Sequence, residues 1–238
     1  MKALILAGGR GNRINEFSES QNKCMIAFRG KPLIEHILQE VSALDISEIV
    51  IVVGYKAEDI INHFGIAYGP RRIRYVIQPE QRGLVHALEC ARAALNGEDF
   101  FLMLGDEVMQ RPRRREMIDF FRGDKGLFAV CGILKVNDLD QIRRTYALVQ
   151  NEKGQIFRLI EKPRKPINEW QGTGHCIFRN RILEYIAITP VHHDRGEKEL
   201  PDLIQCCIDD GKSVKAFEIC DQYCNINSRD DLLKAEGF

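Results

Sequence analysis

With 238 residues, 45% of them hydrophobic, the chain is long enough for one α/β domain with a substantial core. Its 34 Lys+Arg balance 34 Asp+Glu, and a formal net charge of zero argues against a general nucleic-acid or membrane-surface binder, which is usually basic. No apolar run approaches the length that crosses a bilayer and the amino terminus lacks the apolar stretch of a signal peptide, so a cytoplasmic protein is expected. The eight cysteines form no Cys-x-x-Cys pair and read as structural thiols. The one dense basic run, Arg111-Pro112-Arg113-Arg114-Arg115, reads as a solvated turn and helix start.

The first element is the apolar run Leu4 to Ala7, a buried strand stopped by Gly8-Gly9-Arg10-Gly11-Asn12-Arg13. Three glycines in four residues let the backbone turn tightly and present consecutive N–H groups, which can surround a phosphate where a Cβ would block the approach. Arg10 and Arg13 add positive charge of a shape that suits phosphate oxygens. A dinucleotide fingerprint would need glycine where Ile14 stands, and a P-loop would need Gly-Lys-Ser/Thr where the chain has Gly30-Lys31-Pro32. Next, Lys31 to Ala43 carries apolar residues at helical spacing, Ile49 to Val53 is a β-branched strand, Ala57 to about Phe64 a second helix, and Ile73 to Ile77 a third strand. This alternation predicts a sheet with helices on both faces and binding at the carboxyl ends of the strands.

Gln78-Pro79-Glu80-Gln81-Arg82-Gly83 leads into a helix that ends near Asn96-Gly97. The Gln78 amide offers a donor and an acceptor together, which can pair with a pyrimidine edge, and Gly83 would let backbone approach a base. Locally the same residues read more readily as a loop glutamine and a helix-starting glycine. Phe100 to Leu104 is a buried strand ending at Gly105-Asp106-Glu107, so Asp106 stands on the same sheet edge as the first loop, where a carboxylate can hold Mg²⁺ on phosphates; locally it reads also as a turn aspartate after glycine. The second half has more strand character: Leu127 to Leu134, Tyr146 to Val149, and Ile156 to Ile160 running into Glu161-Lys162-Pro163. Gly172-Thr173-Gly174 precedes the apolar Cys176-Ile177-Phe178, and Arg195-Gly196-Glu197-Lys198-Glu199-Leu200 precedes a helix. Ser228 is a plausible cap for a terminal helix after Asn225-Ile226-Asn227.

The opening stretch, with Lys23 about ten residues on, resembles the sugar-nucleotidyltransferases, and five motifs in the family's order extend the resemblance from Met1 to Glu236. It is similar in particular to glucose-1-phosphate thymidylyl- and uridylyltransferases. The resemblance implies a Rossmann-like three-layer α/β nucleotide-diphospho-sugar transferase fold with a mixed, mostly parallel central sheet. It also implies a single domain over 1–238 with no appended carboxyl-terminal domain, a nucleotide-binding half (1–125) and a sugar-phosphate-binding half (126–238). The substrates implied are a nucleoside triphosphate, with UTP or dTTP favoured, and a sugar 1-phosphate; the products are a nucleotide-sugar and pyrophosphate, and Mg²⁺ is the cofactor. No nucleic-acid or membrane partner is implied, and a homo-oligomer is allowed.

Carried over by residue, the resemblance implies nucleotide contacts from Leu6, Ala7, Gly8, Gly9, Gly11, Arg13, Gln78 and Gly83. Arg13, Lys23, Asp106 and Lys162 would be catalytic, and Ala147, Glu161, Lys162, Thr173 and Gly174 would hold the sugar phosphate. Asp106, with Asn225 or Asn227, would hold the metal. Three departures stand out: Asn22 replaces the family's proline before the lysine, an asparagine replaces the second metal aspartate, and Ala147 replaces a glycine. If that glycine makes room for the sugar, the Ala147 methyl narrows the pocket, and the acceptor is then not plain glucose 1-phosphate. Rival readings are the same chemistry on another sugar, a cyclitol, a phosphonate or an alcohol phosphate, with Ala147 and His175 as the residues to watch; the same reaction with CTP or GTP; and a non-catalytic nucleotide-sugar-binding subunit.

Overall fold

A computed structural model describes residues 1–10 and 21–238. Strand β1 (Lys2–Ala7) is buried along its whole length because both of its faces are covered. Its alternate residues point opposite ways: Leu4 and Leu6 enter one apolar cluster, and Ala3, Ile5 and Ala7 enter another. Continuous apolar runs of this kind are what a parallel sheet between two helical layers requires, and each fully buried Leu or Ile contributes about 1.5–3 kcal/mol. Strands β2 (Ile49–Val53), β3 (Arg71–Ile77) and β4 (Phe100–Leu104) complete the parallel part in the order β4-β1-β2-β3. A short hairpin strand at Ala67–Tyr68 closes that edge.

The sheet continues into the second half through β6 (Leu127–Lys135), β7 (Tyr146–Gln150), β8 (Ile156–Glu161), β9 (Trp170–Phe178) and β10 (Ser213–Glu218). Strand β9 joins the halves: Cys176 to Phe178 pair antiparallel with β4, while Gln171 and Gly172 pair with β7. Most strands point the same way, since only β8, β9 and the hairpin strand run against β1. Strands β5 (Glu107–Gln110) and β11 (Gln222–Asn225) form a separate ladder beside the strand ends and bring Asn225 opposite Glu107.

Helices α1 (Leu33–Ser42), α2 (Ala57–Phe64) and α4 (Arg114–Gly123) cover one face, and α3 (Leu84–Leu95) and α5 (Leu200–Asp209) the other. Helix α1 begins at Leu33, two residues later than its apolar spacing suggests, because Lys31-Pro32 pair with Ala27-Phe28 in a small ladder. Helix α3 stops where Asn96 turns left-handed, as its Asn-Gly ending predicts. The terminal helix α6 (Arg229–Glu236) is capped by Ser228, whose hydroxyl accepts the Asp231 amide at 3.2 Å. The basic run is not a solvated patch throughout: Arg114 is buried against α1 and pairs with Glu40. All eight cysteines are free and six are buried, in keeping with structural thiols.

Candidate active site

The carboxyl ends of β1, β3 and β4 and the mixed strands of the second half enclose a cleft of about 380 Å³, a size suited to a small ligand. Leu6, Ala7, Gly8 and Gly9 form its floor where β1 ends. Gln78 leaves β3 beside them, with its Oε1 2.7 Å from where a Cβ on Gly8 would stand. Glycine is therefore required at position 8 to leave room for that amide. Gly83 starts α3 at φ +88°, and a Cβ there would collide with the Glu197 carboxylate. Gly11 and Arg13 lie outside the described residues. Arg10 stands over the Tyr55 ring, 5.1 Å from its centroid.

Lys23 is buried, and its ammonium pairs with Asp106 and donates to Asn227 Oδ1 at 3.0 Å. The loop that carries it is pinned by Asn22, which is fully buried. Asn22 Nδ2 donates to the carbonyls of Ala7 (3.1 Å) and Tyr55 (2.7 Å), and Asn22 Oδ1 accepts the Cys24 amide at 2.8 Å. The asparagine thus replaces a proline's rigidity with three hydrogen bonds. Asn227 Nδ2 donates to Asn225 Oδ1 at 2.9 Å. Asn225 reaches the cleft and Asn227 stands behind it.

On the opposite wall, Lys162 sits at φ +42°, a left-handed conformation that strains a lysine. Its amide donates to the Thr145 carbonyl at 2.7 Å and its ammonium lies 3.0 Å from Glu161 Oε1. Burial raises the Glu161 carboxyl to about 7, against the pull of Lys162. Thr173 and Gly174 fall inside β9 rather than before it, where its pairing with β6 shifts register between Gly172 and Cys176. The Thr173 hydroxyl faces inward and donates to the Gly132 carbonyl at 2.9 Å.

Ala147 is not brought to the cleft. Side chains alternate along β7, so Tyr146 and Leu148 face the cleft-side core while the Ala147 methyl is fully buried in the opposite cluster. Contrary to the expectation from the motif, that methyl does not narrow the sugar pocket. His175 is likewise a core residue, fully buried and edge-on to Phe101 at 6.1 Å.

Across these motifs, the chain matches a family model described as Nucleotidyl transferase over residues 2–237. It belongs to the nucleotidyl transferase family. The UTP–glucose-1-phosphate uridylyltransferase AglF of Haloferax volcanii is 32% identical over 236 residues, covering 99% of this chain and 95% of the relative. A glucose-1-phosphate thymidylyltransferase of Streptomyces griseus is 29% identical, covering 98% of this chain and 64% of the longer relative. Among solved structures, a UDP-glucose pyrophosphorylase complexed with UDP-glucose superposes with a TM-score of 0.88 at 20% identity, covering 99% and 97% of the two chains. The corresponding enzyme of Acinetobacter baumannii gives 0.85 at 22% identity, with 99% and 91% covered. The enzyme family and Rossmann-like fold that the motifs implied are both borne out, and among the described residues no helix is long and apolar enough to cross a membrane.

Several cleft residues of this nucleotidyl transferase were not singled out from sequence. Gln81, Arg144, Glu197 and Glu199 line the cleft. So does Glu107, whose side chain reaches back to β9 and accepts the Gly174 amide at 3.0 Å and the Tyr223 hydroxyl at 2.6 Å. Burial pushes Glu107 up to about 8 and holds the adjacent His175, 3.3 Å away, well below the usual imidazole range. Glu107, the residue after Asp106, thereby ties the irregular stretch of β9 and Tyr223 of β11 to the Asp106 turn. A glutamate after Gly-Asp was the only local trace of this role.

Proposed function

We propose that this nucleotidyl transferase joins a nucleoside triphosphate, UTP or dTTP, to a sugar 1-phosphate, giving a nucleotide-sugar and pyrophosphate. The observation that carries the reading is one cleft with two unlike walls. Gly8, Gly9 and Gln78 offer a neutral seat for base and phosphates. Glu161 and Lys162 offer an anion-accepting cation beside a hydroxyl-accepting carboxylate. Lys23 and Asp106 stand where the two walls meet. The names of the uridylyl- and thymidylyltransferase relatives support the same substrates.

In this reading an oxygen of the acceptor phosphate attacks the α-phosphorus, the new P–O bond forms, and the bond to the β-phosphate oxygen breaks. Lys162 holds the acceptor phosphate, Glu161 takes sugar hydroxyls, and Lys23, with Arg13 of the glycine loop, stabilises charge gathering on the triphosphate. No covalent intermediate on the chain is needed, so positioning and charge neutralisation supply the rate. The carboxylate of Asp106 and the carbonyl oxygen of Asn225 form a hard-oxygen donor set that fits Mg²⁺. When bound, that ion would neutralise phosphate charge. Asn227 is the weaker candidate ligand, since it does not line the cleft and its oxygen accepts from the Lys23 ammonium. A grid of nucleoside triphosphates against sugar 1-phosphates, read by pyrophosphate release with Mg²⁺ or with a chelator, tests the proposal. Turnover confined to purine donors, or none with any sugar 1-phosphate, would overturn it.

A further inference from the structure

The Gln78 carboxamide, only 5% exposed, has two chemically different ends, and its surroundings distinguish them. Its Nε2 lies 3.2 Å from the Gly83 carbonyl oxygen and 3.1 Å from His86 Nδ1. A carbonyl oxygen only accepts, so the end that faces Gly83 has to be the NH₂ group. Its second hydrogen points to His86, whose Nδ1 must then carry a lone pair. The other end, Oε1, is left facing Gly8 on the cleft wall. His86 itself does not line the cleft; it sits in the first turn of α3, behind the glutamine.

We propose that His86 is a positioning residue that fixes the Gln78 amide with its oxygen toward the donor base, and so sets the preference for uracil or thymine over cytosine. This rests on the reading of Gln78 as the residue that meets the base. Uracil and thymine present an N3–H that Oε1 can accept. Cytosine has a bare nitrogen at N3, so two lone pairs oppose each other unless its ring shifts to bring the amine within reach. An amide free to turn over would serve both bases, whereas one held by two acceptors serves the first pair.

Arg82 competes for the same imidazole. Its Nη2 lies 3.1 Å from His86 Nε2, and a neutral imidazole has only one lone pair to offer. If Nε2 supplied it, Nδ1 would carry the hydrogen, the amide would turn, and Gln78 Oε1 would face the Gly83 carbonyl. Arg82 is 66% exposed and also pairs with Glu80 at 3.2 Å, so water replaces its contact to His86 at little loss. A buried oxygen–oxygen mismatch has no such remedy. The lone pair therefore belongs to Nδ1, and the Nε2 hydrogen points toward Cys90 Sγ, 3.8 Å away.

The test is the ratio of kcat/KM for UTP to that for CTP, with one acceptor, in His86→Leu, His86→Asn and Arg82→Ala. His86→Leu removes the acceptor, and the ratio should fall about tenfold, mostly through weaker use of UTP. His86→Asn places an amide oxygen near the site of Nδ1 and should restore most of the ratio, and Arg82→Ala should leave it near the wild-type value. A ratio unchanged in His86→Leu, or one that drops or rises severalfold in Arg82→Ala, would overturn the role of His86. Should the leucine variant not fold, the asparagine and alanine variants decide: a ratio near the wild-type value in both upholds the role of His86, whereas a ratio that rises severalfold in Arg82→Ala means that the lone pair serves Arg82 in the wild type and overturns it. A wild-type enzyme that does not prefer uracil or thymine donors to CTP would instead show that Gln78 does not read the base.

Discussion

The two walls of the cleft are built on different principles. The nucleotide wall is made of glycines and the glutamines Gln78 and Gln81 at the ends of parallel strands, and the Gln78 NH₂ already has its partners within the chain. The acceptor wall is made of charged side chains on antiparallel strands and loops, and it is internally incomplete. The buried Thr145 Oγ1 has no hydrogen-bond partner among the described residues, and Lys162 is held in a strained conformation. A wall with satisfied polar groups selects by shape and by which atom it presents. A wall of charged and strained groups gains by binding, because a ligand's phosphate and hydroxyls supply charge-assisted partners.

The strongest way to break this comparison is at the seam between the walls. Asp106→Ala should lower turnover by about a thousandfold, the scale expected when a group that organises charge on the reacting phosphates is lost, with secondary structure unchanged by circular dichroism. Near-normal turnover would remove Asp106 from the chemistry. In the same series Asn225→Asp should tighten the Mg²⁺ titration by adding a charged oxygen at the cleft. Asn227→Asp should alter Lys23 instead, which a donor-concentration series would reveal.

A finer separation comes from the two lysines. Lys23→Ala should mainly lower turnover, about a hundredfold, because its charge matters most as the triphosphate breaks. Lys162→Ala should mainly raise KM for the acceptor, about tenfold or more, and leave KM for the donor near its original value. Identical profiles for the two variants would mean that the walls are not independent.

The acceptor wall should also carry pH dependence into stability. Glu161 has its carboxyl raised from 4.5 to about 7, with burial as the leading cause and the neighbouring Glu199 adding to it. The folded state then holds a proton that the unfolded chain releases, so stability is highest below about pH 4.5 for this group and declines as pH rises through about 7. The thermal midpoint of the unliganded enzyme should fall across that window. Glu161→Gln should remove part of the fall and leave the part due to Glu107, which is raised to about 8. A midpoint that climbs with pH in this range would contradict the burial of both carboxyls.

The same division explains what the sequence disclosed. The sheet was legible because β1, β2 and β4 are unbroken apolar runs between glycine or polar stops, a pattern suited to a strand covered on both faces. Gly8, Asp106 and Lys162 were legible because each belongs to a short contiguous motif at the end of a strand. Glu107 was not, since its partner Tyr223 lies 116 residues away and only folding brings them together. Arg114 misled for a related reason: four arginines in five residues look solvated, yet helical geometry turns one of them onto Glu40 of α1. The departure at Asn22 exchanges a proline ring for a knot of hydrogen bonds, because its amide meets the carbonyl of Ala7 at the end of β1 and that of Tyr55 in the turn after β2.

Ala147 offers the smallest and most discriminating test. On the motif alone its methyl narrows the sugar pocket, and Ala147→Gly would then widen the pocket and change acceptor preference. In the structure the methyl belongs to the core on the far face of the sheet, packed with the cluster that contains Ile5 and Phe101. Ala147→Gly therefore removes packing and frees the unfolded chain, and should lower stability by about 1 kcal/mol. KM for glucose 1-phosphate and for other sugar 1-phosphates should stay within about twofold, because no side-chain atom at this position meets the cleft. A gain of a new acceptor in Ala147→Gly, without loss of stability, would place the methyl in the pocket after all. Stability lost with kinetics unchanged would show that acceptor choice is set elsewhere on this wall, where Glu161, Glu197 and Glu199 face the cleft.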